Sequence, residues 1–355
     1  MHEAIFPLSF PAPGRKPVSI KDIARQADVS HSTVSRALRN SPLVHPETAE
    51  KIRAIAASSG YRVSAVARSL VSQRTQTIGV VVTNIGDPFN AEVVSGIEDV
   101  ANAFGYSVLL ASSQSDPVRE LGVVHSFEER RVDGIIVNSS RVGSLYQELL
   151  SSLSIPVVFI NNHNPGGFAY SVSIDDVAGA RQVTEHLLAL GHTRLAYIGD
   201  RFGLQSNLDR MAGFQDALER APQARRPPII VYGDGTSAGG AQAMKELLES
   251  GQNPTAVFCY NDRTAIGALS TIQERGLRVP EDISVTGFDD LPVSSFCHPP
   301  LTTLRQPMNG MGRQAMQILE QLLSRNSQPP DMANKFIGNL IVRQSTAAPS
   351  NGKQS

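Results

Sequence analysis

Eight short apolar runs, separated by amphipathic stretches, constrain most strongly how this chain of 355 residues can fold. They occupy residues 78–82, 108–111, 134–137, 157–160, 195–198, 229–232, 256–259 and 284–287. Runs of this length and composition read as buried parallel strands. Between the first two, Val94, Ile97, Ala101 and Phe104 fall at helical spacing and Gly105 ends the helix; similar stretches end at Gly191 and Gly276. The alternating order predicts doubly wound α/β sheets, with ligands bound outside the carboxyl ends of the strands. About eight strands over this length suggest two such lobes.

The first seventy residues follow a different pattern. Ser19 with Asp22 forms a capping-box signature, and Ile20, Ile23, Ala24 and Ala27 then share one helical face. After a turn at Asp28 and Val29, Ser30 can cap a second helix, with Val29 and Val34 placed as a hydrophobic staple. Its inward face is Val34, Ala37 and Leu38, which leaves His31, Ser32, Ser35, Arg36 and Arg39 pointing outward. A third helix opens at Pro46, turns Ala49, Ile52, Ile55 and Ala56 inward, and closes at Gly60. Two short helices across a tight turn, the second offering hydrogen-bonding side chains, form a helix-turn-helix that can enter a major groove. Arg36 suits guanine O6 and N7, and His31 and Ser32 suit neighbouring base edges. The alternative is an ordinary helical hairpin with a solvated face.

Charge separates the same two regions. The whole chain carries -1, yet residues 15–74 hold eleven Lys/Arg against four Asp/Glu. A basic head on an acidic body points to a polyanion bound at one end only. Hydrophobic content of 41% with 18% charged residues supports a large core and excludes a disordered chain. The two cysteines, Cys259 and Cys297, are too far apart in sequence to suggest a disulfide framework or a CxxC metal site, which fits a reducing compartment. No apolar stretch approaches a membrane span, and in the opening residues 1–17 the basic pair follows the apolar part, so the segment reads as a flexible arm rather than a signal peptide. A translation start nearer Val18 would remove that arm.

The segment VSIKDIARQADVSHSTVSRALRN, followed by the stretch from Tyr61 to Leu70, resembles the headpiece of the lactose/galactose repressor family. The resemblance runs through IGVVVTNIGDPFNAEVVSGIEDVA, RVDGIIV, LGHTRLAYIG, DRMAGF, VFCYND, GLRVPEDISVTGFDD, PPLTTLRQP and LIVRQST, covering nearly all of residues 18–347. It implies an all-α helix-turn-helix headpiece plus α/β lobes with two doubly wound parallel sheets, like a periplasmic binding protein. It also implies a bacterial, cytoplasmic transcription repressor that binds a near-palindromic operator as a homodimer, with a sugar-like effector in the interlobe cleft. The expected division is an arm at 1–17, the headpiece at 18–62, a hinge at 63–76, the effector domain at 77–347 and a tail at 348–355. Within the effector domain one lobe takes 77–174 and 305–335 and the other 175–304 and 336–347, with crossings near Asp175, Leu304 and Phe336. The chain ends soon after LIVRQST without a leucine heptad segment, which favours a dimer over a tetramer.

Carried over by motif, the DNA contacts are Ser19, Ser30, His31, Ser32, Thr33, Ser35, Arg36 and Arg39, joined by Ala67 and Leu70 of the hinge. In the family, paired hinge helices enter the minor groove and a leucine wedges between base steps, the role matched by Leu70. Val63 stands where a proline is usual. The cleft positions are Phe89, Asn90, Asp175, Arg210, Asn261 and Asp289. A carboxylate and an arginine fork can each bridge adjacent hydroxyls, and Phe89 can cover an apolar ring face. For each polar residue the alternative is a loop-end group satisfied by neighbouring backbone. Asn90 replaces a second aromatic and Gly235 replaces another, and the chain has no tryptophan, so a larger or more polar ligand than a simple monosaccharide would suit the freed space.

Other signals in the sequence point elsewhere. Gly233, Gly235 and Ala238 partly satisfy a dinucleotide fingerprint, but the following strand ends in Cys259, Tyr260 and Asn261 rather than an acid, so the glycines serve a turn. His192 has no partner at metal spacing, and no nucleophile elbow occurs, so no cofactor, metal or catalytic residue is expected. The body alone would also suit a sugar-binding transport component or a small-molecule enzyme; the basic headpiece and the absent catalytic constellation argue against these.

Overall fold

The computed structural model describes residues 18–61, 74–140, 142, 153–162, 170–221, 227–324 and 335–350. The chain divides into two compact units, residues 1–75 and 76–355.

The first unit holds three helices, α1 (Ile20–Ala27), α2 (His31–Leu38) and α3 (Pro46–Ser58). Asp28 takes the left-handed conformation, φ 57°, and so turns α1 sharply into α2. Ser30 caps α2 by accepting from the Thr33 amide at 3.1 Å. The capping box at Ser19 forms: the Asp22 carboxylate accepts from the Ser19 amide at 3.0 Å and also from the Ser19 hydroxyl at 2.6 Å. Ile23, Val34 and Ile52 are fully buried where the three helices meet, each contributing about 1.5–3 kcal/mol. Ala24, Ala27 and Ala37 let the backbones close around them. Lys51 of α3 donates to the Ala27 carbonyl at 3.2 Å, satisfying an end-of-helix acceptor.

The second unit is built on two six-stranded sheets. The first contains β1 (Thr77–Val82), β2 (Ser107–Ser112), β3 (Gly134–Asn138), β4 (Val157–Ile160), β5 (Ser171–Ile174) and β11 (Lys335–Phe336), in the order β11-β5-β4-β3-β1-β2. The second contains β6 (Leu195–Asp200), β7 (Ile229–Gly233), β8 (Ala256–Cys259), β9 (Ser284–Asp289), β10 (Thr302–Arg305) and β12 (Asn339–Ile341), in the order β12-β10-β9-β8-β6-β7. Helices α4 (Pro88–Ala103), α5 (Pro117–Glu129) and α10 (Met308–Leu323) pack on the first sheet; α6 (Asp176–Ala189), α7 (Gln205–Glu219), α8 (Ser237–Glu249) and α9 (Asp262–Glu274) belong to the second lobe.

All eight apolar runs are strands. Sequence periodicity missed β5, β10, β11 and β12. In β10, Thr302 and Thr303 are fully buried; the Thr302 amide donates to Ser345 and its hydroxyl contacts Thr346, while the Thr303 hydroxyl donates to Asp262, so an interior strand is written in polar letters. The second sheet is not purely parallel, because β12 runs antiparallel to β10. The crossings also shift. The first lies between β5 of the first sheet and α6, at Asp175. Leu304 and Arg305 lie in β10, paired with β9 and β12, so the second crossing is at Gln306 and Pro307 rather than at Leu304. Phe336 pairs with Ile174 in the first sheet, which moves the third crossing to Ile337 and Gly338.

Helix N-termini are capped at the carboxyl ends of strands: Asp87 accepts from the Phe89 amide, Thr236 from Gly239 and Asn261 from Thr264. This arrangement gathers polar loop ends from both lobes around one opening.

Candidate nucleic-acid interface and ligand cleft

On the three-helix unit, His31, Ser32, Arg36 and Arg39 are exposed, while Thr33 and Ser35 are half-buried. Ser30 joins Ser32 and Thr33 through hydroxyl contacts of 2.7 and 2.8 Å, which fixes the first turn of α2. The resulting face offers hydroxyls, an imidazole and guanidinium groups on a rigid, capped helix. Ser19 is exposed at the start of α1. Ala67 and Leu70 lie outside the described residues.

Between the lobes of the second unit is a polar cavity of about 140 Å³ that opens to solvent. Phe89, Asn90, Arg210, Asn261 and Asp289 all line it. The first lobe adds neutral groups, Thr83, Asn84, Ser115, Ser139 and Asn161, together with Asp87; the second adds Asp200, Ser206, Asp234, Tyr260 and Arg263. Asp175 is not among the lining residues. It caps α6 through the Ala178 amide at 3.0 Å and pairs with Lys335 at 2.9 Å. Burial opposes its charge, but that amide and Lys335 outweigh burial and its pKa falls.

The acid that reaches the cleft arginine is the next residue, Asp176. Arg210 is 3% exposed, donates from Nε to Asp176 at 2.8 Å and from Nη1 to the Tyr260 carbonyl at 2.7 Å, and lies 3.7 Å from Asp289. Its guanidinium stacks 3.7 Å from the Phe288 ring centroid and 4.8 Å from that of Tyr260. Burial disfavours this charge, yet Asp176, Tyr260 and Asp289 more than compensate and raise its pKa. Removing one partner would strand a buried charge, at a cost of about 3–5 kcal/mol. The pair therefore fixes Arg210 in place.

Asp289 has φ 122° and Asp290 φ 58°, both unusual for residues with a Cβ. The bend turns Asp289 to the cavity and sends Asp290 to Arg305 and Arg343, each at 2.6 Å. Burial holds the Asp289 carboxyl well above the usual range, Arg210 offsetting it only in part. Asn90 is buried and largely committed: its amide donates to Thr83 and the Asn84 carbonyl, and its oxygen accepts from Asn138. Gly235 is required by its backbone, φ 75°, rather than by space: an added Cβ would make ordinary contact, 3.4 Å from Asp200 Oδ2 and 3.6 Å from the Tyr260 ring. Across the opening, Arg263 of α9 donates to Asp87 of the first lobe at 2.9 Å. His192 is spent structurally, donating from Nε2 to the Ala347 carbonyl at 2.9 Å while Nδ1 contacts Thr255.

Sequence reasoning missed Asp87, Asp176, Asp200, Asp234, Tyr260 and Arg263. Asp200, Asp234 and Tyr260 stand at or just beyond strand carboxyl ends, a signal that was available. The Asp87 and Arg263 pair spans 176 residues and had none.

A helix-turn-helix unit followed by two α/β lobes around a polar cavity defines a ligand-responsive transcription regulator. Residues 19–64 match the model of bacterial regulatory proteins of the lacI family, and residues 184–346 match a periplasmic binding protein-like domain. The transcriptional regulator GalR of Escherichia coli is 35% identical over 94% of this chain and 96% of its own. Catabolite control protein A of Priestia megaterium is 35% identical over 87% and 94%. Among solved structures, the Lac repressor dimer bound to operator and an anti-inducer superposes with a TM-score of 0.85 at 30% identity, over 94% of this chain and all of that one. The chain belongs to the lacI family of bacterial regulatory proteins. It is a DNA-binding transcriptional repressor that responds to a ligand, not an enzyme, and such a regulator works in the cytoplasm. No helix among the described residues is long and apolar enough to cross a membrane.

Proposed function

We propose that this repressor controls a catabolic operon, binding a near-palindromic operator as a homodimer and releasing or tightening its grip when a sugar-like effector fills the cleft. His31, Ser32 and Arg36 read base edges, while Ser19, Ser30, Thr33, Ser35 and Arg39 fix the helix against phosphates. Ala67 and Leu70 of the hinge at 63–76 carry the minor-groove contact that the family resemblance assigns, and binding associates the protein with the nucleoid. Effector contacts come from Phe89, Asn90, Arg210, Asn261 and Asp289, with Asp175 reduced to a capping role at the crossing.

The observation that supports this reading best is the capped α2 with its exposed basic and hydroxyl face, carried on the same chain as a polar cavity between two lobes. Solved relatives with cellobiose and ribose bound support a sugar effector. Exposed Ile85, Leu109 and Leu110 in one lobe and Val293 and Phe296 in the other offer apolar surface for a symmetric dimer. Titration of a labelled operator against the purified dimer should show nanomolar binding that weakens steeply with salt and changes when a cleft ligand is added. Equal affinity for operator and random duplex, with and without ligand, would refute the proposal.

A further inference from the structure

We infer that Asn40 and Arg53 form a clamp for a DNA phosphate on each headpiece, a backbone contact beyond those that the motif resemblance assigns. The inference deepens the operator reading and rests on it.

An exposed arginine alone is no site; Arg53 is both held in place and left unneutralised. It stands exposed on α3, and its Nη2 donates to Oδ1 of Asn40 at 3.0 Å. Glu50, three residues earlier on the same helix, is spaced for an ion pair with it. Among the described residues, however, the acids of this unit reach Arg25 alone, at 3.8 Å, and none reaches Arg53. The neighbouring Lys51 is spent on the Ala27 carbonyl.

Asn40 is set as firmly. It takes φ 56°, a conformation that asparagine tolerates. Its amide donates to the Ala37 carbonyl at 3.2 Å and that of Ser41 to the Arg36 carbonyl at 3.0 Å, which ties the loop to the end of α2. A guanidinium carries donors only, so it fixes the asparagine with Oδ1 toward Arg53 and Nδ2 turned away. Nδ2 of Asn40 and both Nε and Nη1 of Arg53 have no partner among the described residues. The pair thus presents donors only, around a full positive charge, and its complement is an anion with at least two acceptor oxygens. Base edges are reached from the first turns of α2, whereas this pair lies beyond its carboxyl end, past Arg39. On DNA the anion at hand there is a backbone phosphate.

The test titrates the full-length protein against a labelled random-sequence duplex and against a duplex recovered by binding-site selection, at about 50 and about 200 mM salt. Arg53→Ala should weaken both by a similar factor and leave the selected consensus unchanged. Each phosphate contact adds about 0.9 to the slope of log affinity against log salt, so the wild-type advantage should shrink about threefold per headpiece across that range. Arg53→Lys should keep the slope and lose only part of the affinity, because the charge stays and the fork goes. Asn40→Asp, which keeps a residue suited to positive φ but neutralises Arg53, should behave like Arg53→Ala. A lost structural contact would not move the salt slope. An unchanged slope in Arg53→Ala, or an altered base preference, overturns the inference while operator binding by the wild type still stands. Failure of the wild type to bind any duplex strikes the regulator reading and this one together.

Discussion

Arg36 stands exposed on α2 with no salt bridge among the described residues, and Arg25 rather than Arg36 faces Asp22. Its guanidinium is thus available for a base edge, and Arg36→Ala should lose about 1–3 kcal/mol of discrimination at one base pair. A binding-site selection experiment checks this; an unchanged base preference at every position would remove Arg36 from the readout. His192 carries a second prediction. Burial holds its imidazole below the ordinary value, so the native ring is neutral. Its contribution is fully present above the unfolded pKa of about 6.5 and is lost as pH falls below it, because the unfolded chain then binds the proton more readily. Asp262 works with the opposite sign, since burial pushes it up to about 6 and the fold accepts its proton more easily than the unfolded chain. Melting wild type and His192→Asn side by side at each pH cancels the Asp262 effect. The stability difference between them should shrink from pH 7 to pH 5. A constant gap would assign the acid loss to other groups.

Elements in this protein meet through glycine where helices cross. Gly96 of α4 and Gly312 of α10 face each other's backbones, and a Cβ on either would press into the carbonyl of Asn309 or Val93. Close approach lets α10 cover β3, β4 and β5 beside α4, which covers β1 and β2. Alanine at Gly96 gains about 1 kcal/mol of helix propensity but meets an overpacking cost of about 1–3 kcal/mol, and backbone carbonyls cannot move aside as a side chain would. Gly96→Ala should therefore lower the urea midpoint. Gly122→Ala in α5, where nothing lies within 4 Å of the added carbon, should raise it slightly. If both substitutions moved the midpoint the same way, the crossing would not be the tight point of the lobe. The helix period was legible because it depends on one face of one element; β10 was not, because Thr302 and Thr303 become interior only through Ser345 and Asp262, which come from distant segments.

At the scale of the molecule, three crossings and, among the described residues, the ion pairs Asp87–Arg263 and Asp175–Lys335 tie the lobes of the second unit together. Asp290 anchors Arg305 and Arg343, one just before the second crossing and one after the third, while Asp289 beside it faces the cleft. Occupancy of the cleft thus has a short mechanical route to the segments about which the lobes turn. The Arg263 and Asp87 bridge spans the opening, and Asp87→Asn should favour opening by about 1 kcal/mol, roughly a fivefold larger open population. Spin labels at Val118 and Leu208, exposed positions on different lobes, would report this in a Cys297→Ser background; an unshifted distance distribution would show that the bridge does not hold the lobes. The amino-acid order by itself determined the helix-turn-helix face, the eight apolar strands, the capping residues and the general place of the cleft, because each rests on periodicity or on a side chain bonding within three residues of itself. Only the tertiary structure decided that Asp176 rather than Asp175 holds Arg210, that Asp87 meets Arg263, and that Asp200 and Asp234 line the cavity. Adjacent residues at a strand end point to different neighbours, and which one faces the ligand depends on caps, sheet partners and the opposing lobe, none of which is local in the chain.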